Sequence, residues 1–456
     1  MREPHRPYWI TDLKRLLYLA FPVAVVNLTL TAMQFTDAWL VSSLGTEALA
    51  ALTPPGLVIF FMQSLGYGLL SCVTAFVSQA RGRGLDEQCG NMAWQGIYLG
   101  LIASVPMIWA GFHAEHLFRL MGNESPAVMQ MQVAYTDITV FSLPPNLVAV
   151  ALASYFVGVR RQWIIVLSTL VGFVLNVPLS YLLIHGYEPL LVPAYGVVGA
   201  GLATVLSTIV QAVIVWVWFV APPHARRFGT RKWAPNWSVL PKMVRIGVPA
   251  SLQALVDAVS WGVVVAWLVA CFGTAHQAVA TVLIRCMQLG FMPAEGIATA
   301  SLTMVGDAMG ARDVPLAERR TKLALWVTGS YMGALGLALL IYRAEIFRAF
   351  SNDPEVIAIG SAAMILVAAA QIFDAVGLVY VHVLQAVGDN VWPMVANIAA
   401  AMALAGGGVL LLELWPASGS IGVWSLVGLY IVVLAVAFHS RWAGGAWKSG
   451  GDLLAA

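Results

Sequence analysis

The stretch LQALVDAVSWGVVVAWLVACFG, Leu252–Gly273, decides the fold. It is long enough to cross a bilayer, which takes about 20 apolar residues. Its one charge is Asp257. A carboxylate at that depth is costly, so it pairs, titrates or binds a cation. Two more acids share this setting: Asp37 in LTAMQFTDAWLVSSLG and Asp374 in VAAAQIFDAVGLVYVHVLQ. Three intramembrane acids point to an ion-coupled machine. The plainer reading makes some of them neutral, hydrogen-bonded links between helices.

The rest of the chain agrees with a membrane protein. Its 456 residues are 60% hydrophobic and 10% charged, with a mean hydropathy of +0.82; soluble domains carry about 25% charged residues. No polar half could form a separate globular domain. A net charge of +2 gives no reason to expect a nucleic-acid partner. There is no G-x-x-x-x-G-K-[ST] phosphate loop and no domain to hold one, which disfavours an ATP-driven pump. No HExxH, GxSxG or histidine cluster suggests a membrane enzyme. Cys72, Cys89, Cys271 and Cys286 lie within or beside apolar segments without CxxC or Cys/His spacing, and read as buried free thiols. The apolar run after MREPHRPYWITDLKRL is too long for a signal-peptide core and reads as a retained first span.

Twelve apolar segments follow, near 16–43, 51–79, 90–112, 127–157, 163–185, 195–221, 246–271, 278–308, 322–342, 357–387, 391–413 and 421–440. With the N-terminus inside, 20 of the 24 Lys and Arg residues fall on the cytoplasmic side. The outer segments hold only Arg119, Arg343 and Arg348, and Arg285 lies within a span. Cytoplasmic loops collect Lys and Arg, so both termini and the basic segment 222–245 are expected in the cytoplasm. A miscounted span would scramble this asymmetry.

The two halves repeat. Pro22 matches Pro249 at an offset of 227, and Gly45 and Gly82 match Gly273 and Gly310 at 228. The local strings run in parallel: LGT with FGT, VSQARG with VGDAMG. Six spans separate the copies, so this is a parallel repeat, with a substrate site expected between the halves near the midplane. The expected architecture is all-α and integral to the membrane. Twelve transmembrane helices form two pseudo-symmetric six-helix lobes, 1–221 and 246–456, around a central cavity, joined by the linker 222–245. The chemistry is not symmetric: Asp374 falls opposite Asn146, and Asp37 and Asp257 sit at different places in their lobes.

The polar neighbours of the acids extend the candidate site. Gln253 and Ser260 share a helix face with Asp257, and Gln371 lies one turn before Asp374. Such oxygens could coordinate Na⁺ at Asp257 and Asp374, or the acids could hold a proton; each Gln or Ser could equally be an interhelical link. Asp37 has Gln34 one turn before it and Asn27 further along, with Asn176 able to join from the fifth span. Glu295 and Arg285 share a span but are too far apart to pair. Glu295 either faces the cavity and attracts cations or neutralises a partner on a neighbouring helix. Trp261 and Tyr380 are candidates for lining a drug cavity.

Three runs carry a family resemblance: residues 22–51, PVAVVNLTLTAMQFTDAWLVSSLGTEALAA; LVGFVLNVPLSYLLIHG with GVVGAGLATVLS; and residues 272–311, FGTAHQAVATVLIRCMQLGFMPAEGIATASLTMVGDAMGA. The chain resembles the multidrug and toxic compound extrusion (MATE) family over essentially its whole length, in the bacterial norfloxacin-efflux branch or one related to it. The resemblance implies a monomeric antiporter in the bacterial inner membrane, surrounded by lipid. It would export organic, often cationic drugs or metabolites in exchange for H⁺ or Na⁺, with no cofactor beyond that ion. The family's acids of the first, seventh and tenth spans map to Asp37, Asp257 and Asp374. The seventh-span acid is usually Glu; here it is Asp, one methylene shorter. The archaeal-type branch has a second acid four residues after the asparagine of its NxP motif, where this chain has Ser180 after Asn176. The serious alternative is a lipid-linked oligosaccharide flippase of the same superfamily. It would call for Arg and Lys lining a cavity, and only Arg285 lies within a span.

Overall fold

A computed structural model describes residues 8–45, 47–48, 51–121, 125–187, 189 and 192–454. Arg2 and Arg6 of the charge count and Thr46 of the LGT string lie outside these. Twelve long helices follow in order. The first six are α1 (Tyr8–Ser42), α2 (Thr53–Gly82), α3 (Cys89–Phe112), α4 (Pro126–Gly158), α5 (Trp163–His185) and α6 (Val197–Val220). The second six are α7 (Leu240–Ala270), α8 (Thr274–Gly310), α9 (Val314–Ile341), α10 (Pro354–Ala386), α11 (Val391–Leu414) and α12 (Gly419–Ala443). Eleven are long and apolar enough to span a bilayer. The remaining one, α8, is diluted by His276, Gln277, Arg285, Gln288 and Glu295. Large apolar side chains such as Phe35, Trp326 and Leu414 stand exposed on helix faces, as lipid contact requires.

Proline position explains several helix starts. Ser125, Asp313 and Asp353 each cap a helix with proline in its first two positions, accepting from Val128 N, Leu316 N and Glu355 N. Pro54 and Pro55 open α2 rather than bend it. Pro144 and Pro145 restart α4 after a 3₁₀ turn at Val140–Ser142. Pro22, Pro178, Pro249 and Pro293 do lie inside helices.

The repeat is written into the backbone. Gly45 and Gly273 have φ of 108° and 99°; Gly84 and Arg312 have 77° and 58°; Arg160 and Gly388 have 62° and 74°. Each pair is 228 residues apart. Their helix-ending hydrogen bonds match as well. Gly84 N reaches Arg81 O and Leu85 N reaches Ala80 O; Arg312 N reaches Met309 O and Asp313 N reaches Ala308 O. These are Schellman ends, which need a left-handed residue and usually take glycine. Among the described residues, the two non-glycine residues in that region, Arg160 and Arg312, each sit opposite a glycine in the other copy. One backbone has been kept at all three turns, while the residue changed at two of them.

By packing, the chain divides into Met1–Ala24 with Leu252–Ala456, and Val25–Ser251. The divisions fall inside α1 and α7, 227 residues apart. In the first unit the start of α1 is held by Leu16, Leu19 and Ala20 in the main apolar core. Asp12 also lies 3.7 Å from the buried Arg320, whose guanidinium donates to Met304 O at 2.6 Å. Gly296 on α8 makes room there, since a Cβ would come within 2.6 Å of Ala20 O. In the second unit, Ser251 donates to Leu65 O at 2.7 Å. Gly68, the repeat equivalent of Gly296, would put a Cβ 2.5 Å from Ala250 O.

The basic segment after α6 is strapped to the second unit and ends sooner than its charge suggests, since α7 begins at Leu240. A short helix, Pro222–Phe228, opens it. Asn91, Trp94, Gln95 and Tyr98, one face of α3, then hydrogen-bond its backbone between Thr230 and Asn236. His224 shares a buried 2.7 Å hydrogen bond with Tyr155. Burial first, then Arg161 and Arg227, lower its pKa from 6.5 to about 4. All four cysteines are free, but Cys271 is exposed rather than buried, because it lies in the turn that ends α7.

Candidate functional site

In the unit containing residues 252–456, α7 carries Asp257 to a position where two neutral donors meet it. Asn397 Nδ2 of α11 and Tyr430 OH of α12 donate to Asp257 Oδ1 at 2.8 and 2.9 Å. Immediately beyond, Ser260–Val265 forms a π-helical turn. Such turns interrupt the regular hydrogen-bond ladder and recur at functional sites. Asp374 is half-buried on α10, within electrostatic reach of Asp257 and Glu295. The three acids are therefore drawn together from α7, α8 and α10.

Several oxygens in this unit are buried without a hydrogen-bond partner: Gln253 Oε1, Gln371 Oε1 and Asn397 Oδ1. Gln371 Oε1 lies against Gly290 of α8. Buried acceptors without donors are costly unless water or a cation meets them. Among the described residues, no group of three or more His, Cys, Asp or Glu forms a metal cluster. The set of carboxylates and amide oxygens suits a hard monovalent cation or a proton rather than a transition metal.

Glu295 resolves one open alternative. Its Oε1 lies 3.2 Å from His382 Nε2 on α10. It has a partner on a neighbouring helix. Arg285 instead donates to Gln288 Oε1 at 3.1 Å. Tyr380 is buried, with its hydroxyl 2.9 Å from His439 Nδ1; it is a packing residue within this unit. Trp261 is half-buried.

In the unit 25–251, Asp37 accepts a hydrogen bond from Ser180 Oγ at 3.0 Å. Ser180, four residues after Asn176, is thus a direct neighbour of Asp37. Asn176 and Thr204 face the same carboxylate, yet the buried Asn176 amide has no hydrogen-bond partner for its nitrogen or oxygen. Gln34 is exposed and Asn27 half-buried on α1. The sequence reading missed Asn397, Tyr430 and His382. The first two come from remote helices, where a lone polar residue gives no pairing signal. His382 was findable, since it lies eight residues after Asp374 on one helical stripe.

Comparison with known proteins gives the family. The MatE family profile matches twice, at residues 22–182 and 249–405, once per repeat. The chain belongs to the MatE family. It is 27% identical over 398 residues to a probable multidrug resistance protein NorM of Rhizobium meliloti, covering 85% of this chain and 84% of that one. It is 26% identical over 449 residues to the multidrug resistance protein MdtK of Yersinia pseudotuberculosis, covering 95% and 96%. Among solved structures, a MATE transporter in a bent conformation has a TM-score of 0.85 at 22% identity, covering 98% of this chain and 99% of that one. The eukaryotic MATE transporter AtDTX14 has a TM-score of 0.85 at 19% identity, covering 98% of each. This MATE chain is thus a multi-pass membrane protein with the twelve-helix, two-lobe layout of its relatives.

Proposed function

We propose that this protein is a secondary antiporter that exports organic, often cationic drugs or metabolites in exchange for H⁺ or Na⁺ by alternating access. The observation that carries the reading is the Asp257 site. A carboxylate inside the apolar interior is held by two neutral donors and lies within electrostatic reach of Asp374, and the same unit holds buried amide oxygens without donors. A neutral cage leaves the charge uncompensated, so occupancy by a cation or proton changes the site's energy strongly. A permanent Arg or Lys partner would remove that sensitivity. The naming of NorM and MdtK as multidrug resistance proteins supports the substrate class. Asp37, braced by Ser180, is a second cation-responsive group in the other lobe.

A coupling ion and an organic cation competing for the same acids give exchange. The ion entering down its gradient displaces the substrate, and the substrate on the other side displaces the ion. The charge asymmetry supports cytoplasmic termini and linker, placing the export direction outward. Reconstituted liposomes under separately imposed Na⁺ and pH gradients test the reading. Uphill movement of an organic cation is expected under one gradient and not without it. Equal movement with and without both gradients would overturn antiport.

A further inference from the structure

α8 and α10 pack against each other in the C-terminal unit, and Glu295 meets His382 across that interface. His382 Nδ1 lies 2.9 Å from Leu378 O, one turn earlier on α10. A carbonyl only accepts, so Nδ1 carries a hydrogen. In a neutral imidazole the other nitrogen is then bare. A bare Nε2 and a carboxylate oxygen are both acceptors and would repel at 3.2 Å. The contact therefore needs a proton between them. Imidazole is ordinarily the stronger base, about 6.5 against about 4.3, so the proton rests on Nε2.

We propose that Glu295 and His382 form a one-proton latch between α8 and α10, closed while the shared proton is held and released when it is lost. Release passes the Nε2 proton to water. It leaves a neutral imidazole bearing Nδ1–H and a Glu295 carboxylate, with acceptors facing each other. The side chains are 12% and 27% exposed, dry enough for this repulsion to matter. The net charge of the pair falls from zero to minus one, within electrostatic reach of Asp374. Asp374, Leu378 and His382 lie on one stripe of α10, so the latch sits two turns along from the coupling acid. The proposal deepens the antiport reading, since it ties the charge near Asp374 to the packing of two helices. Other groups around the interface are engaged. Arg285 is on Gln288, Tyr331 of α9 donates to Leu289 O, His439 of α12 meets Tyr380, and Asp257 of α7 is held by Asn397 and Tyr430.

Histidine-selective ¹⁵N NMR in nanodiscs tests the latch, with the His382→Gln spectrum assigning the His382 signals. Spin labels at Arg312→Cys, just past α8, and Gln385→Cys, in the last turn of α10, in a background without the native cysteines, report the separation of the helix ends. In wild type, Nε2 should resonate as an N–H at pH 7 and move to the bare-nitrogen position at higher pH, and the spin separation should change with the same midpoint. In Glu295→Gln the amide can donate to a bare Nε2, so Nε2 should be bare at pH 7 and the separation indifferent to pH. A bare Nε2 in wild type at pH 7, or a wild-type separation that ignores pH, would overturn the latch. Neither readout needs transport, so a failed antiport reading and a failed latch are told apart.

Discussion

The two repeats share a backbone and differ in chemistry at the same coordinates. Glu295 and Asp374 in the second repeat correspond, at an offset of 228, to Tyr67 and Asn146 in the first. Tyr67 faces Asn146, a neutral pair. Glu295 and Asp374 are both acids, and one is held by His382. The first repeat keeps its single deep carboxylate elsewhere, at Asp37, braced by Ser180. Its equivalent in the second repeat is Val265, inside the π-helical turn. The left-handed turns at 45/273, 84/312 and 160/388 show that this contrast is not a change of fold. Only side chains differ, which places Asp257, Glu295 and Asp374 in the second repeat and Asp37 in the first as the deep carboxylates among the described residues.

The largest effect should come from making the second repeat resemble the first. Asp374→Asn copies the Asn146 chemistry, and Asp257→Asn removes the other carboxylate. Each should bring gradient-driven export in liposomes down to background while the protein elutes as wild type does. Asp37→Asn should be milder, about tenfold, because the second-repeat acids remain; Asp37→Glu should recover part of the rate. Equal, complete loss in Asp37→Asn would erase the asymmetry between repeats. Removing one donor from the Asp257 cage should act at about the same level as Asp37→Asn. A hydrogen bond to a charged group is worth about 1.5–3 kcal/mol, so Tyr430→Phe should slow export at limiting ion about tenfold. A wild-type rate would remove Tyr430 from the site.

Much of this was legible in the sequence, and the reason is the bilayer. An apolar solvent forces long helices and makes every buried charge conspicuous. That is why Asp37, Asp257, Asp374 and the repeat were visible. Partners were not visible where they come from distant helices. Asn397 and Tyr430 reach Asp257 from 140 and 173 residues away, and nothing local marks them. Gln34 looked like a neighbour of Asp37 by helical spacing, but the hydrogen bond comes from Ser180 on α5. Cys271 looked buried because its segment is apolar, yet it sits at the turn where that segment ends.

Two stability predictions sharpen the contrast away from the acids. In the segment that follows α6, His224 has a folded pKa of about 4 against an ordinary 6.5. The folded form binds fewer protons than the unfolded form between these values. Its contribution is therefore complete above about pH 6.5 and is lost as pH falls toward 4, by about 3 kcal/mol at most. Thermal unfolding in detergent from pH 8 to pH 4 should show this loss, and His224→Gln should flatten that part of the profile. The smallest effect concerns the turns. Arg312 holds a left-handed conformation that glycine adopts freely, at a cost of about 1 kcal/mol. Part of any gain is offset by the Arg312–Asp452 contact at 3.7 Å. Arg312→Gly should stabilise by roughly 0.5 kcal/mol, and the reciprocal Gly84→Arg should destabilise by about 1 kcal/mol. The same sign for both would mean the turns are not equivalent.

The proposed competition between ion and substrate at the second-repeat acids has a direct test. A fluorescent organic cation is titrated onto purified protein at pH 8 and pH 6, with and without Na⁺, for wild type, Asp257→Asn, Asp374→Asn and Asp37→Asn. If the acids of the second repeat carry the exchange, one ion should weaken wild-type binding about tenfold or more. That dependence should vanish in Asp257→Asn and Asp374→Asn and survive in Asp37→Asn. An ion dependence that is unchanged in both second-repeat variants would place the exchange elsewhere and contradict the assignment.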